Sequence, residues 1–344
     1  MRVVIVVGLL VWLLGCGEAE ESRYQLYFFG TVIDMTLSSG SSSQRQQAVT
    51  AIKARFAHIH DDWHAWQLGK LTRLNQQLQQ HGSAVLDPEL KPLLQQSLAL
   101  SALSGGRFDP TIGKLLQLWG FQQTLPPEGM PPPSEALLQQ WLQQRPSSRD
   151  VVIEGERMTT TNRQLAFDMG AIAKGYAVDE AIDILRKHQI GAAIVNAGGD
   201  LRVIGRHGER PWRVGIRHPQ GGGVLAALTA AGDESIFTSG NYERYREYEG
   251  VKYHHIIDPM TARPVEGVTS VTVIHRFGTV ADAAATALVV AGVDHWPAVA
   301  RAMGVEAVLL MSEAGVAYLT PAMAERIEWQ TLPVEQVVVD VSTD

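Results

Sequence analysis

A single cysteine, Cys16, stands at the end of an apolar leader, and no other thiol occurs in the 344 residues. No intramolecular disulfide can tie the chain together in any compartment, so buried apolar surface must hold the fold. The material for that is present: 45% of residues are hydrophobic and 19% are charged, the profile of a globular chain and not of a disordered or fibrous one. A chain of this length buries roughly 70 to 75% of its unfolded surface, enough for one large core or two lobes without a metal staple. Its 36 acidic residues outnumber 29 basic ones, for a net charge of -7. That balance argues against a broad nucleic-acid footprint and leaves room for a local cationic pocket.

The leader itself predicts export. Arg2 precedes an apolar run over 3–14, shorter than the 18 or more residues of a bilayer-spanning helix. Its end, Leu13-Leu14-Gly15-Cys16, resembles a bacterial lipobox. That resemblance implies a signal peptide over 1–15, lipidation of Cys16, a tether over 16–23 and a periplasm-facing protein anchored in the cell envelope by lipid. Gly17 after the cysteine is compatible with sorting to the outer membrane. An uncleaved signal anchor is the other reading, and both place the body, 24–344, outside the cytoplasm.

Within that body, the runs 24–29 and 32–37 are broken by Gly30-Thr31 and form a strand pair or one bulged strand. Val49, Ile52, Phe56, Ile59 and Trp63 recur at three-four spacing and predict a helix over 44–67. The glutamine-rich pieces 74–81 and 137–145 lie beside leucines and read as solvated helix faces. Helices over 176–187 and 281–290 follow, with strands near 192–196, 201–204, 212–216, 224–228, 235–237, 253–257, 270–274, 305–311, 316–319 and 337–339. With no internal period and no repeating βαβ unit, the expected class is α+β.

Four constellations carry chemistry. Asn196-Ala197-Gly198-Gly199-Asp200 follows an apolar strand. Its glycines suit a tight turn, or a backbone whose amides approach phosphate oxygens. It is neither a complete dinucleotide fingerprint nor a Walker loop. Asp168-Met169-Gly170-Ala171-Ile172-Ala173-Lys174-Gly175 precedes a helical segment, so Lys174 and nearby amides form a positive locus beside Asp168. The alternative is a surface lysine and an aspartate cap. Asp282 and Thr286 are four residues apart in an alanine-rich helix, which puts both oxygens on one side, where a hard cation can accept them. A capping aspartate and a back-bonded threonine are the competing reading. In Tyr253-His254-His255-Ile256-Ile257-Asp258, strand alternation sends the two histidines to opposite faces, and one of them can move protons near neutral pH. His60 and His64 lack a zinc-binding signature and read as a solvated helix face.

Together these residues resemble the ApbE-like FAD:protein FMN transferase family. The likeness extends through Gly30-Thr31, Leu74-Asn75, Phe108-Asp109-Pro110-Thr111-Ile112-Gly113, Leu118-Trp119-Gly120-Phe121, Gly215-Ile216-Arg217-His218-Pro219 and Ser239-Gly240-Asn241-Tyr242, spanning almost the whole exported region. The resemblance implies an ApbE-like α+β fold with a T-fold-related core, arranged over 24–344 as two lobes around one active site. It also implies magnesium-dependent transfer of FMN from bound FAD to a Ser or Thr of an exported acceptor protein, such as a redox-complex subunit, with release of AMP. By motif, the Ala171 carbonyl, Asp282 and Thr286 are magnesium ligands. Phe29, Trp66, Arg107, Phe108, Asp109, Asp168, Lys174 and Ile256 are FAD contacts, with Gly198 and Gly199 beside the ligand, and His255 is the acid-base residue. Two positions depart from the pattern. Asp258-Pro259-Met260-Thr261-Ala262 ends in alanine in place of glycine, and Asn241 replaces an aspartate. These changes leave open two alternatives, a magnesium-dependent FAD pyrophosphatase and a lipid-tethered flavin-binding protein without turnover.

Overall fold

Phe29 and Gly30 settle the first strand ambiguity: both have positive φ, 55° and 73°, and make a two-residue turn between antiparallel β1 (Ser22–Phe28) and β2 (Thr31–Leu37). Such primed turns match the natural twist of a hairpin. The computed structural model describes residues 21–123, 129–230 and 232–342. The leader and Cys16 lie outside the described residues.

The hairpin begins a nine-stranded sheet that continues with β3 (Ala193–Ala197), β4 (Asp200–Gly205), β5 (Gly232–Gly240), β6 (Val268–His275), β7 (Ala307–Ser312), β8 (Val316–Leu319) and β9 (Glu335–Val338). The strands lie side by side in chain order, antiparallel throughout until the parallel β8–β9 pair. One face is covered by the helices α1 (Ser42–Asp62), α2 (Ala173–Lys187) and α3 (Gly278–Ala302). The other packs against a small sheet of strands Trp212–Arg217, Val224–Ala230 and Glu328–Trp329. β7 shows the consequence in its sequence. Val308 and Leu310 enter the helix-side core, whereas Leu309 and Met311 enter the other, so alternation by face produces a continuous apolar run.

α2 and α3 cross closely. A Cβ on Gly175 would lie 2.2 Å from the Gly278 carbonyl oxygen, so any side chain there would force the helices apart. Each helix also caps the other. Asp179 of α2 accepts from the Gly278 and Thr279 amides of α3 at 2.8 and 2.9 Å. In return, Asp282 of α3 accepts from the Gly175 amide of α2 at 2.9 Å. These are first-turn N–H groups that no intrahelical carbonyl can satisfy.

Several boundaries differ from expectation. The first helix stops at Asp62, and Trp63 only closes its last turn through an N–H donated to Ile59. α2 starts at Ala173 and not at Tyr176, which places Lys174 inside its first turn. α3 runs well past 290, with a break at Gly292, where φ is 67°. The strand expected over 253–257 is interrupted: Val251–His254 and Ile257–Asp258 belong to different two-stranded sheets. The interruption frees the His255 region to line a cavity. A separate core of Ile112, Leu115, Trp119, Phe121, Leu138 and Trp141 closes over Ile257 and Ala262. Ala262 adopts φ 60° and is fully buried, so alanine accepts the left-handed turn that glycine adopts without steric cost.

Candidate active site

The β1–β2 turn, the β3–β4 turn, the start of α2, one side of α3 and the Trp212–Arg217 strand converge on one cleft of about 1000 Å³. Every residue expected at the site except Cys16 lines it: Phe29, Trp66, Arg107, Phe108, Asp109, Asp168, Ala171, Lys174, Gly198, Gly199, His255, Ile256, Asp282 and Thr286.

The acidic part is the most unusual. Asp282 is only 4% exposed and lies in an alanine-rich stretch of α3 whose small side chains let the helix pack against the sheet. Lys174 pairs with Asp200, the residue that opens β4. Asp200 is fixed in turn by the Thr238 amide of β5, which donates to its Oδ1 at 2.9 Å. Glu243, which follows Tyr242, completes a group of three carboxylates around one ammonium. Burial pushes Asp282 up to about 7, a shift that Lys174 opposes and that Asp200 and Glu243 reinforce. Burial also raises Glu243, with Asp200 adding to it against Lys174. For Lys174 burial acts the other way, but Asp200, Asp282 and Glu243 outweigh it and raise its pKa. The cluster therefore lacks positive charge. Beside Asp282, the Thr286 hydroxyl lies 3.1 Å from that of Ser239. An oxygen-only donor set with excess negative charge, at a site too dry to stabilise a bare carboxylate, fits a small divalent cation.

His255 lines the same cleft. Its Nδ1 lies 3.0 Å from the Arg244 carbonyl oxygen, and because a carbonyl can only accept, Nδ1 carries the proton and Nε2 keeps its lone pair. Burial depresses its pKa to about 3; the carbonyl bond opposes this, while the Arg244 and Lys174 charges assist it. The imidazole is thus neutral at physiological pH. His254, the last residue of its strand, is committed elsewhere: Nε2 donates to the Val265 carbonyl at 2.7 Å and Nδ1 accepts the Ile256 amide at 3.3 Å. It is a structural histidine.

Other expectations change in detail. The Gly198 and Gly199 amides are already donated, to the Val32 carbonyl at 3.1 Å and the Asn196 side chain at 2.7 Å, so they are not phosphate donors. The glycines serve the turn instead. A Cβ on Gly198 would fall 2.3 Å from the Thr31 hydroxyl. Likewise the Gly175 amide serves Asp282, so it is not free for a ligand. Asp168 accepts from the Gly170 amide at 2.8 Å and the Gln122 side chain at 3.1 Å. Asp109 accepts from the Thr111 amide and hydroxyl at 2.9 and 2.7 Å, and burial raises its pKa against those bonds. Asn241 donates its amide to the Val268 carbonyl at 3.3 Å, a bond an aspartate could not make; it lies outside the cleft lining. His60 and His64 do not form a solvated face. His60 packs edge-on to Phe28 and Phe29, and His64, beyond the helix end, meets Trp66 at 4.3 Å between ring centroids.

Asp200, Glu243 and Arg244 belong to the cleft although the sequence reading assigned them no role. Asp200 was visible only as the last residue of the glycine motif. Arg244 had no signal at all: its guanidinium lies over the Trp66 and Phe121 rings, 5.7 and 5.9 Å from their centroids, while its backbone carbonyl sets the His255 tautomer.

Comparison with known proteins decides the family. The ApbE family model matches residues 29–309. The chain belongs to the ApbE family. This ApbE-family chain is 42% identical over 310 residues to the FAD:protein FMN transferase of Rhodobacter capsulatus, covering 90% of the chain and 59% of that protein. It is 30% identical over 311 residues to the FAD:protein FMN transferase of Vibrio cholerae serotype O1, covering 88% of the chain and 91% of that protein. Its fold matches the ApbE crystal structure from Thermotoga maritima with a TM-score of 0.80 at 31% identity, over 89% of this chain and 99% of that one. The flavin transferase ApbE from Vibrio cholerae matches with a TM-score of 0.76 at 28% identity, over 90% and 99% of the two chains. The α+β class and ApbE-like fold expected from the sequence are those of this family.

Proposed function

We propose that this chain transfers FMN from FAD to a serine or threonine hydroxyl of an exported acceptor protein, with magnesium bound, forming a phosphoester and releasing AMP. The observation that carries this reading is the acidic cluster around Lys174, which shares with a neutral imidazole a cleft large enough for a dinucleotide. Family membership supports the same reaction class, since the relatives named above are FAD:protein FMN transferases.

In this mechanism Asp282, Thr286 and the Ala171 carbonyl would hold the magnesium ion. When bound, the ion neutralises charge on phosphoryl oxygens. Phe29, Trp66, Arg107 and Asp168 bind and orient FAD across the rest of the cleft. Lys174, kept charged by its carboxylate neighbours, offsets the negative charge of the diphosphate. His255 Nε2 accepts the proton of the acceptor hydroxyl as its oxygen attacks the FMN phosphorus. One P–O bond forms to the acceptor and the diphosphate P–O bond to AMP breaks. AMP leaves as its phosphate anion, and the acidic His255 imidazolium returns the proton to solvent. Arg244 supports the sequence by holding Nδ1–H in place through its carbonyl.

The same reading places the protein on the periplasmic side of the bacterial envelope, held by lipid on Cys16; palmitate labelling lost in Cys16→Ser tests that placement. Intact-mass analysis of an exported acceptor incubated with the protein, FAD and magnesium tests the reaction. An FMN-sized gain on the acceptor with equimolar AMP is expected. FMN and AMP without an adduct would make the protein a pyrophosphatase, and unchanged FAD would make it a binding protein.

A further inference from the structure

The Trp212–Arg217 strand is the end strand of its three-stranded sheet and pairs, among the described residues, only with Val224–Ala230. Its side chains alternate as a strand requires: Trp212, Val214 and Ile216 are buried against the nine-stranded sheet, while Arg213, Gly215 and Arg217 are exposed. Yet the cleft is lined by four consecutive residues, Val214, Gly215, Ile216 and Arg217. Neighbouring residues point to opposite faces of a strand, so a space that meets all four runs along the strand's free edge, where backbone N–H and C=O groups are presented.

Gly215 supplies a second, independent observation. Glycine inside a strand is unfavourable and commonly marks the close approach of another backbone or a ligand. Nothing in this chain demands it. A Cβ at Gly215 would meet only the Val224 side chain, at 3.4 and 3.5 Å, which is ordinary contact, and the position is not among those with positive φ. The missing side chain leaves the backbone open on the strand's exposed face at a residue that also lines the cleft.

We infer that an extended segment of the acceptor protein, carrying the Ser or Thr to be modified, pairs with the Val214–Arg217 edge as an added strand and so delivers its hydroxyl into the cleft. This rests on the transferase reading above. A strand edge offers donors and acceptors in alternation, a pattern that complements another peptide backbone; four residues of edge span about 13 Å at roughly 3.3 Å per residue. Such a short pairing suits a partner that must leave after one turnover.

The test uses the full chain with FAD, magnesium and a library of twelve-residue peptides, each with one central threonine, read by mass for FMN addition. On the best peptide, single N-methyl groups are placed at successive backbone amides. Losses of transfer are expected at every second position, at least tenfold each. Gly215→Val is expected to raise the peptide KM at least tenfold while the Kd for FAD stays within twofold. Should valine lower the melting temperature, Gly215→Ala, whose methyl meets only ordinary contacts, is expected to raise KM about threefold. A uniform or absent N-methyl effect, or an unchanged KM in both variants, would overturn the inference. Weakened FAD binding in Gly215→Val would assign the edge to the dinucleotide instead. No adduct on any peptide despite AMP release would remove the transferase reading itself, and the inference with it.

Discussion

Asp282→Asn is expected to lower the proposed magnesium-dependent FMN transfer by about 10³-fold and at the same time to raise the melting temperature of the metal-free protein. Both effects have one cause. Asp282 is almost completely buried, with its pKa pushed up to about 7 because burial and the Asp200 and Glu243 charges outweigh the help from Lys174. Asparagine retains an oxygen that can accept the Gly175 amide, so the cap on α2 survives, while an inadequately compensated buried charge disappears. What is lost is the anionic ligand that a divalent ion requires, and loss of several kcal/mol of charge stabilisation corresponds to a rate change of this size. Melting curves with and without magnesium separate this from a merely structural role. The wild type is expected to gain stability on adding magnesium and the variant is not. A destabilised variant, or wild-type turnover at limiting magnesium, would remove Asp282 from the metal site.

The second large effect is on His255. His255→Asn keeps an N–H for the Arg244 carbonyl but has no Nε2 lone pair, and it is expected to lower kcat by about 10² to 10⁴-fold with little change in the Kd for FAD. Its pH behaviour distinguishes it from an ordinary histidine. With a pKa depressed to about 3, His255 stays neutral through the physiological range, so the wild-type rate shows no acidic limb near 6.5 from this residue. Stability carries the complementary sign. The unfolded chain takes up the proton near 6.5 and the folded chain only near 3, so stability contributed by the neutral ring is present above 6.5 and is lost as pH falls through that window. Urea titrations at pH 7.5 and 5 should show a smaller loss in His255→Asn than in wild type. An equal loss in both would show that His255 is not held neutral by the fold.

Much of the architecture was legible because its signals are local. The three-four spacing in α1, the alternating or apolar strand runs and the glycine break at the β3–β4 turn each follow from short-range rules. The cleft lining was legible through its motifs. What spacing could not convey was the commitment of individual hydrogen-bond groups. The Gly198 and Gly199 amides looked available until Val32 and Asn196, from a neighbouring strand and from the start of the same turn, took them up. Asp282 reads as a ligand or a cap in sequence, and in the fold it caps α2, a helix 107 residues earlier. Arg244 acts through its backbone carbonyl, which has no residue identity to read. These are long-range pairings, made only when distant segments meet.

Anomalous diffraction from crystals grown with FAD and manganese, a spectroscopically visible substitute for magnesium, tests the metal site most directly. A single strong peak is predicted between the Asp282 carboxylate and the diphosphate of the dinucleotide, within coordination distance of the Thr286 hydroxyl and the Ala171 carbonyl. FAD bound in the cleft with Asp282 dry, protonated and distant from every manganese peak would contradict it.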